Sequence, residues 1–302
     1  MLKPAAVRPP ALVGVVALSS PVRKEFVDAG VAELSRLGFR TRLGENLYQR
    51  SRYTAGSPQE RLQDFRTLWN DPEVAAIFCA RGGYGSMELL PLLSVDSLRE
   101  RPRVVLGASD VTAIHALLTG PASVMAFHGP MVAQQIARGH YDRKSLLGVL
   151  GSGEPFGRLD APAIETLHSG AAEGRILGGC LSLVASLAGT PFLPSFRDAI
   201  LFLEDTQTKP YQIDRMMTQL RLSGLLDGVR GIVFGEMPDC DQHPEQGYSL
   251  PQMLRDWTEG LRIPVLFGFP CGHTRSAAVT LPLGARVRLD GDGLTLLEGA
   301  VS

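Results

Sequence analysis

Charge of either sign is not in surplus in this chain: thirty lysines and arginines stand against thirty-one acidic residues, a formal net charge of −1 over 302 residues. A near-neutral balance excludes the basic footprint with which proteins hold nucleic acid or anionic membrane, so neither is expected as a partner. No apolar run approaches the roughly twenty residues of a transmembrane helix. Cysteine is scarce. Cys79, Cys180, Cys240 and Cys271 lie far apart and form no CxxC pair, which excludes a disulfide framework and predicts the reduced thiols of a cytoplasmic protein. Internal repeats and low-complexity tracts are missing as well.

What is present is the composition of a globular enzyme, with 44% apolar and 20% charged residues. The length suits two domains, each able to bury its own core. The opening "MLKPAAVRPPALVGVVALSS" carries early Lys3 and Arg8 before an apolar run and so loosely resembles a secretory leader. The run Ala11–Leu18 is barely long enough for one, and Pro9 and Pro10 break its start. It reads better as a first buried strand. Strand-like and helix-like stretches then alternate: a helix near 22–37, a second opened by Ser57 and Pro58, a buried strand "EVAAIFCA" at 73–80, a helix "MELLPLL", and the strand "RVVLGA". Such alternation predicts an α/β fold, with a doubly wound parallel sheet in an N-terminal domain over residues 1–150. The Gly- and Pro-rich "GSGEPFGRLDAP" opens a linker at 151–172. A C-terminal α/β domain with mixed strands follows at 173–302. It holds the strand "AILFLE", the helical "YQIDRMMTQLRLSGLLDG", two more strands, and a closing hairpin around "DGDG".

In open parallel sheets the ligand crevice lies beyond the carboxyl ends of the strands. Two segments fall there, "RGGYGS" at 81–86 and "GASD" at 107–110. A serine or aspartate before a helix is ordinarily a cap. Asp110 can serve as that cap, which leaves Ser109 without a structural task. A serine on a strand–turn–helix flanked by small residues also has the geometry of a nucleophile elbow, in which the first helical N–H groups face a developing oxyanion.

A serine hydroxyl needs a base. Of the six histidines, His115 falls within the helix after Ser109 and faces elsewhere, and His140 and His168 sit in polar stretches. His243 lies in a loop, "PDCDQHPEQ", whose spacing matches no metal site. His128 in "FHGPM" follows a short apolar run and could line the crevice. His273 in "LFGFPCGHTRS" follows a strand on a Gly-rich turn, where a positioned base belongs. The base in turn needs a carboxylate. Glu204 ends the apolar run "AILFLE", where burial is costly unless a donor pairs with it. Asp205 is the alternative, and an ion pair of Glu204 with Lys209 or Arg215 is the competing structural reading.

Taken in order, "GASD", "FHGPM", "LFLEDT…YQIDRMMTQL" and "GFPCGHTR" resemble the LD-carboxypeptidase family, which includes muramoyltetrapeptide carboxypeptidases and microcin C immunity carboxypeptidases. The resemblance runs from "VVALSSPV" to "TLPLGARVRL". It implies that Ser109 is the nucleophile, Glu204 the relay carboxylate and His273 the general base, meeting at the interface of two domains. It also implies that Gly83 and the N–H of Asp110 form the oxyanion hole, that no metal or cofactor takes part, and that the protein is a homodimer. Ala108, Cys180 and Cys271 depart from the family's commoner threonine, asparagine and larger apolar residue, which bears on substrate specificity.

The expected activity is removal of a C-terminal D-amino acid from a small peptide, murein tetrapeptide above all. Action on an aminoacyl-adenylate or peptidyl-nucleotide conjugate is the alternative. Arg81 and Arg275 are the candidates for the terminal carboxylate, because a guanidinium forks a carboxylate bidentately. A phosphate-cradling "RGGYGS" is disfavoured, since Glu88 stands where a dinucleotide fingerprint needs its third glycine. Two rivals remain on the residues alone. An α/β-hydrolase esterase would need a glycine at Val111, and a non-catalytic binding module would use the same crevice.

Overall fold

The computed structural model describes residues 1–241, 244–291 and 293–302. In the first half the strands are β1 (Leu12–Val16), β2 (Arg40–Leu43), β3 (Val74–Cys79), β4 (Val104–Gly107) and β5 (Ala126–His128). They pair in parallel in the order β2-β1-β3-β4-β5. The central β1 is "LVGVV", buried at every position, as a strand covered on both faces requires. The polar "RTRL" of β2 tolerates the edge. Chain order reverses between β1 and β3, so the crevice opens over the loops after β1, β3 and β4.

In the second half the strands are β6 (Gly157–Arg158), β7 (Glu165–His168), β8 (Ala172–Cys180), β9 (Ala199–Glu204), β10 (Gly231–Gly235), β11 (Val265–Phe269), β12 (Leu281–Leu283), β13 (Arg286–Asp290) and β14 (Gly293–Leu296). Strands β8 to β11 run parallel, and antiparallel strands flank them in the order β6-β14-β13-β8-β9-β10-β11-β7. This is the expected mixed sheet, and β13 and β14 form the hairpin expected around "DGDG". The stretch 151–172, expected as a linker, contributes β6 and β7 to the two edges of this sheet. Strand β12 crosses back and pairs antiparallel with β5, with Leu281 opposite His128. No Gly/Pro-rich composition could have announced these edge strands, because their pairing is supplied by distant partners.

Alternation along β9 decides what faces the first sheet. Ile200 and Phe202 belong to the main core, which is continuous with the N-terminal half, whereas Ala199, Leu201 and Leu203 pack into a second core behind the sheet. With a period of two, Glu204 lies on the same face as Ile200 and Phe202. The helix Thr112–Thr119 is buried at every residue and touches both β5 and β8. It is wedged between the sheets, which explains its apolar periphery.

Two helices begin as expected. Ser57 and Glu60 make a reciprocal capping box for Pro58–Asn70, and Lys24–Arg36 occupies the stretch expected near 22–37. "MELLPLL" differs. It lies in a 3₁₀ helix, Ser86–Leu92, with Pro91 inside it. Proline has no N–H to continue an α-helical ladder, and the tighter turn is the accommodation. Among the described residues no helix is long and apolar enough to cross a membrane.

Candidate active site

Strand β4 ends in a sharp turn. Ser109 has φ +61°, in the left-handed region that a non-glycine residue enters only at a cost. The tight 3₁₀ turn Ser109–Val111 follows, leading into the helix Thr112–Thr119. Ser109 is half-buried, and its hydroxyl makes no hydrogen bond among the described residues. The expectation that Asp110 caps the helix is corrected here. Ala108 occupies the cap position without a side-chain bond, and the Asp110 carboxylate instead accepts the backbone N–H of Ser86 at 2.8 Å. The hydroxyl of Ser86 also donates to the Asp110 carbonyl. Asp110 therefore ties the glycine-rich loop to the serine turn.

That loop approaches closely. A Cβ at Gly82 would lie 2.6 Å from Cβ of Ser109 and 3.3 Å from the Asp110 nitrogen. At Gly83, where φ is +119°, a Cβ would lie 2.2 Å from Oγ of Ser20. Only glycine lets the backbone run along the turn at this distance. Arg61, fully buried, braces the arrangement from behind: Nη1 donates to the carbonyls of Leu18 and Gly85 at 2.7 Å each, and Nη2 pairs with Glu88.

The opposite wall comes from the second sheet. Glu204 ends β9, fully buried, in register with Cys180 at the end of β8. Its Oε2 accepts the backbone N–H of His273 at 2.9 Å and lies 2.7 Å from His273 Nδ1. Its other oxygen, Oε1, is 3.4 Å from Nε2 of the fully buried His128, without a directed hydrogen bond between them. Burial alone would raise the Glu204 carboxyl, but the charge and hydrogen bonds of His273, with the His128 ring close by, outweigh it and hold the group well below the usual carboxylate range. Burial likewise works against the His273 imidazolium. The charge and hydrogen bond of Glu204 more than reverse that, with Asp205 adding to them, and hold His273 above its ordinary value. Asp205, the alternative carboxylate, is spent elsewhere: it accepts the N–H groups of Ser182 and Thr206 and the hydroxyl of Thr208.

Several contacts join the walls. The N–H of Cys180 donates to Oγ1 of Thr112 at 3.0 Å, three residues beyond Ser109. Nε2 of Gln135 donates to the carbonyl of Gly272 at 3.3 Å, and the Cys271 thiol approaches the His128 carbonyl. The loop beyond His273 is held by Glu236, whose Oε2 accepts the N–H groups of Arg275 and Ser276.

The other residues singled out from the sequence fall as follows. Arg275 is 68% exposed and pairs with Asp239 at 2.8 Å. Arg81 donates to the carbonyls of Gly82 and Pro21. His115 is buried beside His128, with ring centroids 5.8 Å apart. His140 is exposed, His168 contacts the Arg255 carbonyl, and His243 lies outside the described residues. Cys180, Glu204 and His273 bring potential ligand atoms within 4.8 Å of one another, but Glu204 and His273 already use theirs on each other. Sequence reasoning missed Arg61, whose signal was only an arginine within an amphipathic helix, and placed His128 in the crevice without pairing it to Glu204.

A strained serine turn at the end of one parallel sheet and a carboxylate-backed histidine after a strand of another, with the Cys180–Thr112 hydrogen bond joining the two walls, define a serine-type hydrolase of two α/β units. The comparisons narrow the class. A family model described as the LD-carboxypeptidase N-terminal domain matches residues 13–129, and one described as the C-terminal domain matches 173–289. The chain belongs to the LD-carboxypeptidase family and is a serine-type carboxypeptidase. A probable murein peptide carboxypeptidase of Bacillus subtilis is 34% identical to it, over 99% of this chain and 95% of the relative. The microcin C7 self-immunity protein MccF of Escherichia coli is 28% identical, over 87% and 85%. A solved structure of MccF in complex with glutamyl sulfamoyl guanosine matches with TM-score 0.91 at 26% identity, covering 100% of both chains. The muramoyltetrapeptide carboxypeptidase of Oxalobacter formigenes matches with TM-score 0.83 at 27% identity, over 95% and 98%.

Proposed function

We propose that this protein releases a C-terminal D-amino acid, D-alanine foremost, from murein tetrapeptide by cleaving the amide between an L-configured centre and the D-residue, without a metal. The observation that carries the reading is the pairing of buried Glu204 with half-buried His273, on a wall tied by Cys180 to the helix that follows the strained Ser109 turn. An ionised carboxylate can only accept, so the Nδ1 proton of His273 is directed at Glu204 and the Nε2 lone pair is left free. In this mechanism Nε2 takes the Ser109 proton as Oγ attacks the scissile carbonyl. The N–H groups of Gly83 and Asp110 stabilise the oxyanion, and His273 then protonates the departing amine. Water, deprotonated by His273, hydrolyses the acyl-enzyme.

The likeness to MccF supports a second reading, in which the acyl group is carried on a nucleotide-like leaving group and the chemistry is the same. The test is kcat/KM on three substrates: a murein tetrapeptide ending in D-alanine, its L-alanine isomer, and an aminoacyl-adenylate analogue. Inverting the terminal Cα exchanges carboxylate and methyl, so one must leave its contacts if the carbonyl stays in place. Loss of a charge-assisted hydrogen bond costs about 1.5–3 kcal/mol, roughly ten- to a hundredfold in rate. The D-isomer is expected to be faster by at least that factor. Equal rates on the two isomers overturn the reading, and a preference for the adenylate moves the protein to the second.

A further inference from the structure

Beside His273 lies a cavity of about 180 Å³, lined by Gln134, Arg138, His140, Thr206 and Thr274 together with the His273 side chain. It draws on both halves of the chain: the 132–140 segment supplies one wall and the loops after β9 and β11 the other. The two walls are fixed relative to each other by the Gln135–Gly272 hydrogen bond. Gln135 is itself held, its Oε1 accepting the N–H of Met131 at 3.1 Å.

From this cavity we infer that Arg138 and the polar groups around it form the subsite for the carboxylate of the departing amino acid, which makes Arg138 a specificity-determining residue. The inference rests on the proposed peptidase reading of the same site. The order of proton transfers locates the leaving group. The imidazole that takes the Ser109 proton must hand it to the leaving nitrogen, so that nitrogen lies against His273. In a carboxypeptidase substrate the terminal carboxylate is attached to the carbon next to that nitrogen. The carboxylate therefore falls within one residue's reach of His273, a reach that takes in the cavity His273 lines.

The chemistry of the lining agrees. Arg138 is exposed and makes no ion pair among the described residues. The two arginines that the sequence nominated are engaged elsewhere, Arg275 with Asp239 and Arg81 with backbone carbonyls. The hydroxyls of Thr206 and Thr274 already donate to the Pro238 and Ser276 carbonyls, which leaves the Gln134 amide as the side-chain donor beside Arg138. The guanidinium fork suits a carboxylate, and a desolvated carboxylate needs such a partner. Size points the same way. Pockets for drug-sized ligands run to ~300–1,000 Å³, whereas about 180 Å³ suits one small residue. A nucleotide would have to extend beyond it.

The test uses two measurements on the full-length protein with Arg138→Ala, Arg138→Lys and, as controls, Arg81→Ala and Arg275→Ala. The first is kcat/KM for the D-alanine-terminated tetrapeptide against its C-terminal amide. The wild type is expected to prefer the free acid by roughly ten- to a hundredfold. Arg138→Ala should lose that preference, its rate on the free acid falling toward its rate on the amide, and Arg138→Lys should recover part of it. The second is binding of D-alanine against D-alaninamide, followed by NMR titration, which needs no turnover. D-alanine should bind more tightly to the wild type, and equally with the amide in Arg138→Ala. If the wild type cleaves neither peptide, the peptidase reading fails, and the titration still decides the subsite. Discrimination that survives Arg138→Ala, or that vanishes in Arg81→Ala or Arg275→Ala instead, overturns the assignment.

Discussion

One oxygen of Glu204 holds His273 twice, with Oε2 2.7 Å from Nδ1 and 2.9 Å from the backbone nitrogen of the same residue. The backbone bond fixes where the loop sits, and the ring bond fixes how the imidazole turns. Both depend on Glu204 being at the last position of a buried strand, on the face that looks toward the first sheet.

The pH dependence follows from that pair. Because Glu204 raises the His273 pKa above the ordinary histidine value, the neutral base is lost at a higher pH than for an isolated imidazole. The acid limb of kcat/KM is therefore expected above about 6.5, with activity falling as pH drops through it. Glu204→Gln removes the charge that favours the imidazolium and leaves burial, which opposes it. The limb should move to lower pH while kcat falls. A limb that stays in place in Glu204→Gln would show that another group titrates there.

His128 faces the other oxygen of Glu204. Replacing it with phenylalanine removes the polar ring 3.4 Å from Oε1 and leaves the buried carboxylate facing an apolar one. His128→Phe should lower thermal stability and reduce kcat about tenfold or more, and His128→Gln, which keeps a donor, should recover part of both. Differential scanning calorimetry alongside steady-state kinetics reads the two effects. Equal behaviour of the two variants would remove His128 from the account.

Arg61 supports the glycine-rich loop from behind, through the Gly85 carbonyl. Arg61→Met keeps the bulk but takes the guanidinium from the Leu18 and Gly85 carbonyls; Gly85 keeps the Glu88 N–H, and the loss at Leu18 is about 1–3 kcal/mol. Because Gly85 belongs to the loop that touches Ser109, kcat should fall while KM changes little. A variant that is merely less stable, with unchanged kcat at low temperature, would limit Arg61 to folding.

The thiols should be silent. All four cysteines are buried; burial, with Asp110 nearby, pushes Cys79 up to about 12, and burial likewise raises Cys180 and Cys271 well above the usual thiol range. Iodoacetamide should leave the native enzyme unlabelled and fully active, and label it only after denaturation. Chelators should likewise leave the rate unchanged, and loss of activity in EDTA that zinc restores would redirect attention to Cys180, Glu204 and His273 as metal ligands.

Much of this was legible before the structure. The parallel strands carry continuous apolar runs, and Glu204 and His273 stand out because each interrupts an apolar or glycine-rich run with a titratable group. What sequence could not supply was anything set by distant pairing. Strand β12 reads as one more strand of the second half but completes the first sheet. The residues 151–172 read as a linker, yet their strands are ordered by β11 and β14. Asp110 has the position of a cap, but its preference was overridden when the neighbouring loop offered the Ser86 N–H. Arg138 lies in a polar surface-like stretch, and only the fold sets it beside His273.

The most direct test of the whole account is covalent labelling of the nucleophile. The native protein would be treated with a fluorophosphonate and the adduct mapped by peptide mass spectrometry, in the wild type and in Ser109→Ala, His273→Ala and Glu204→Ala. A single adduct on Ser109 is expected, absent in Ser109→Ala and slowed by several orders of magnitude in His273→Ala, since an unassisted serine hydroxyl is a poor nucleophile. An adduct on another residue, or labelling of Ser109 at the wild-type rate without His273, would contradict it.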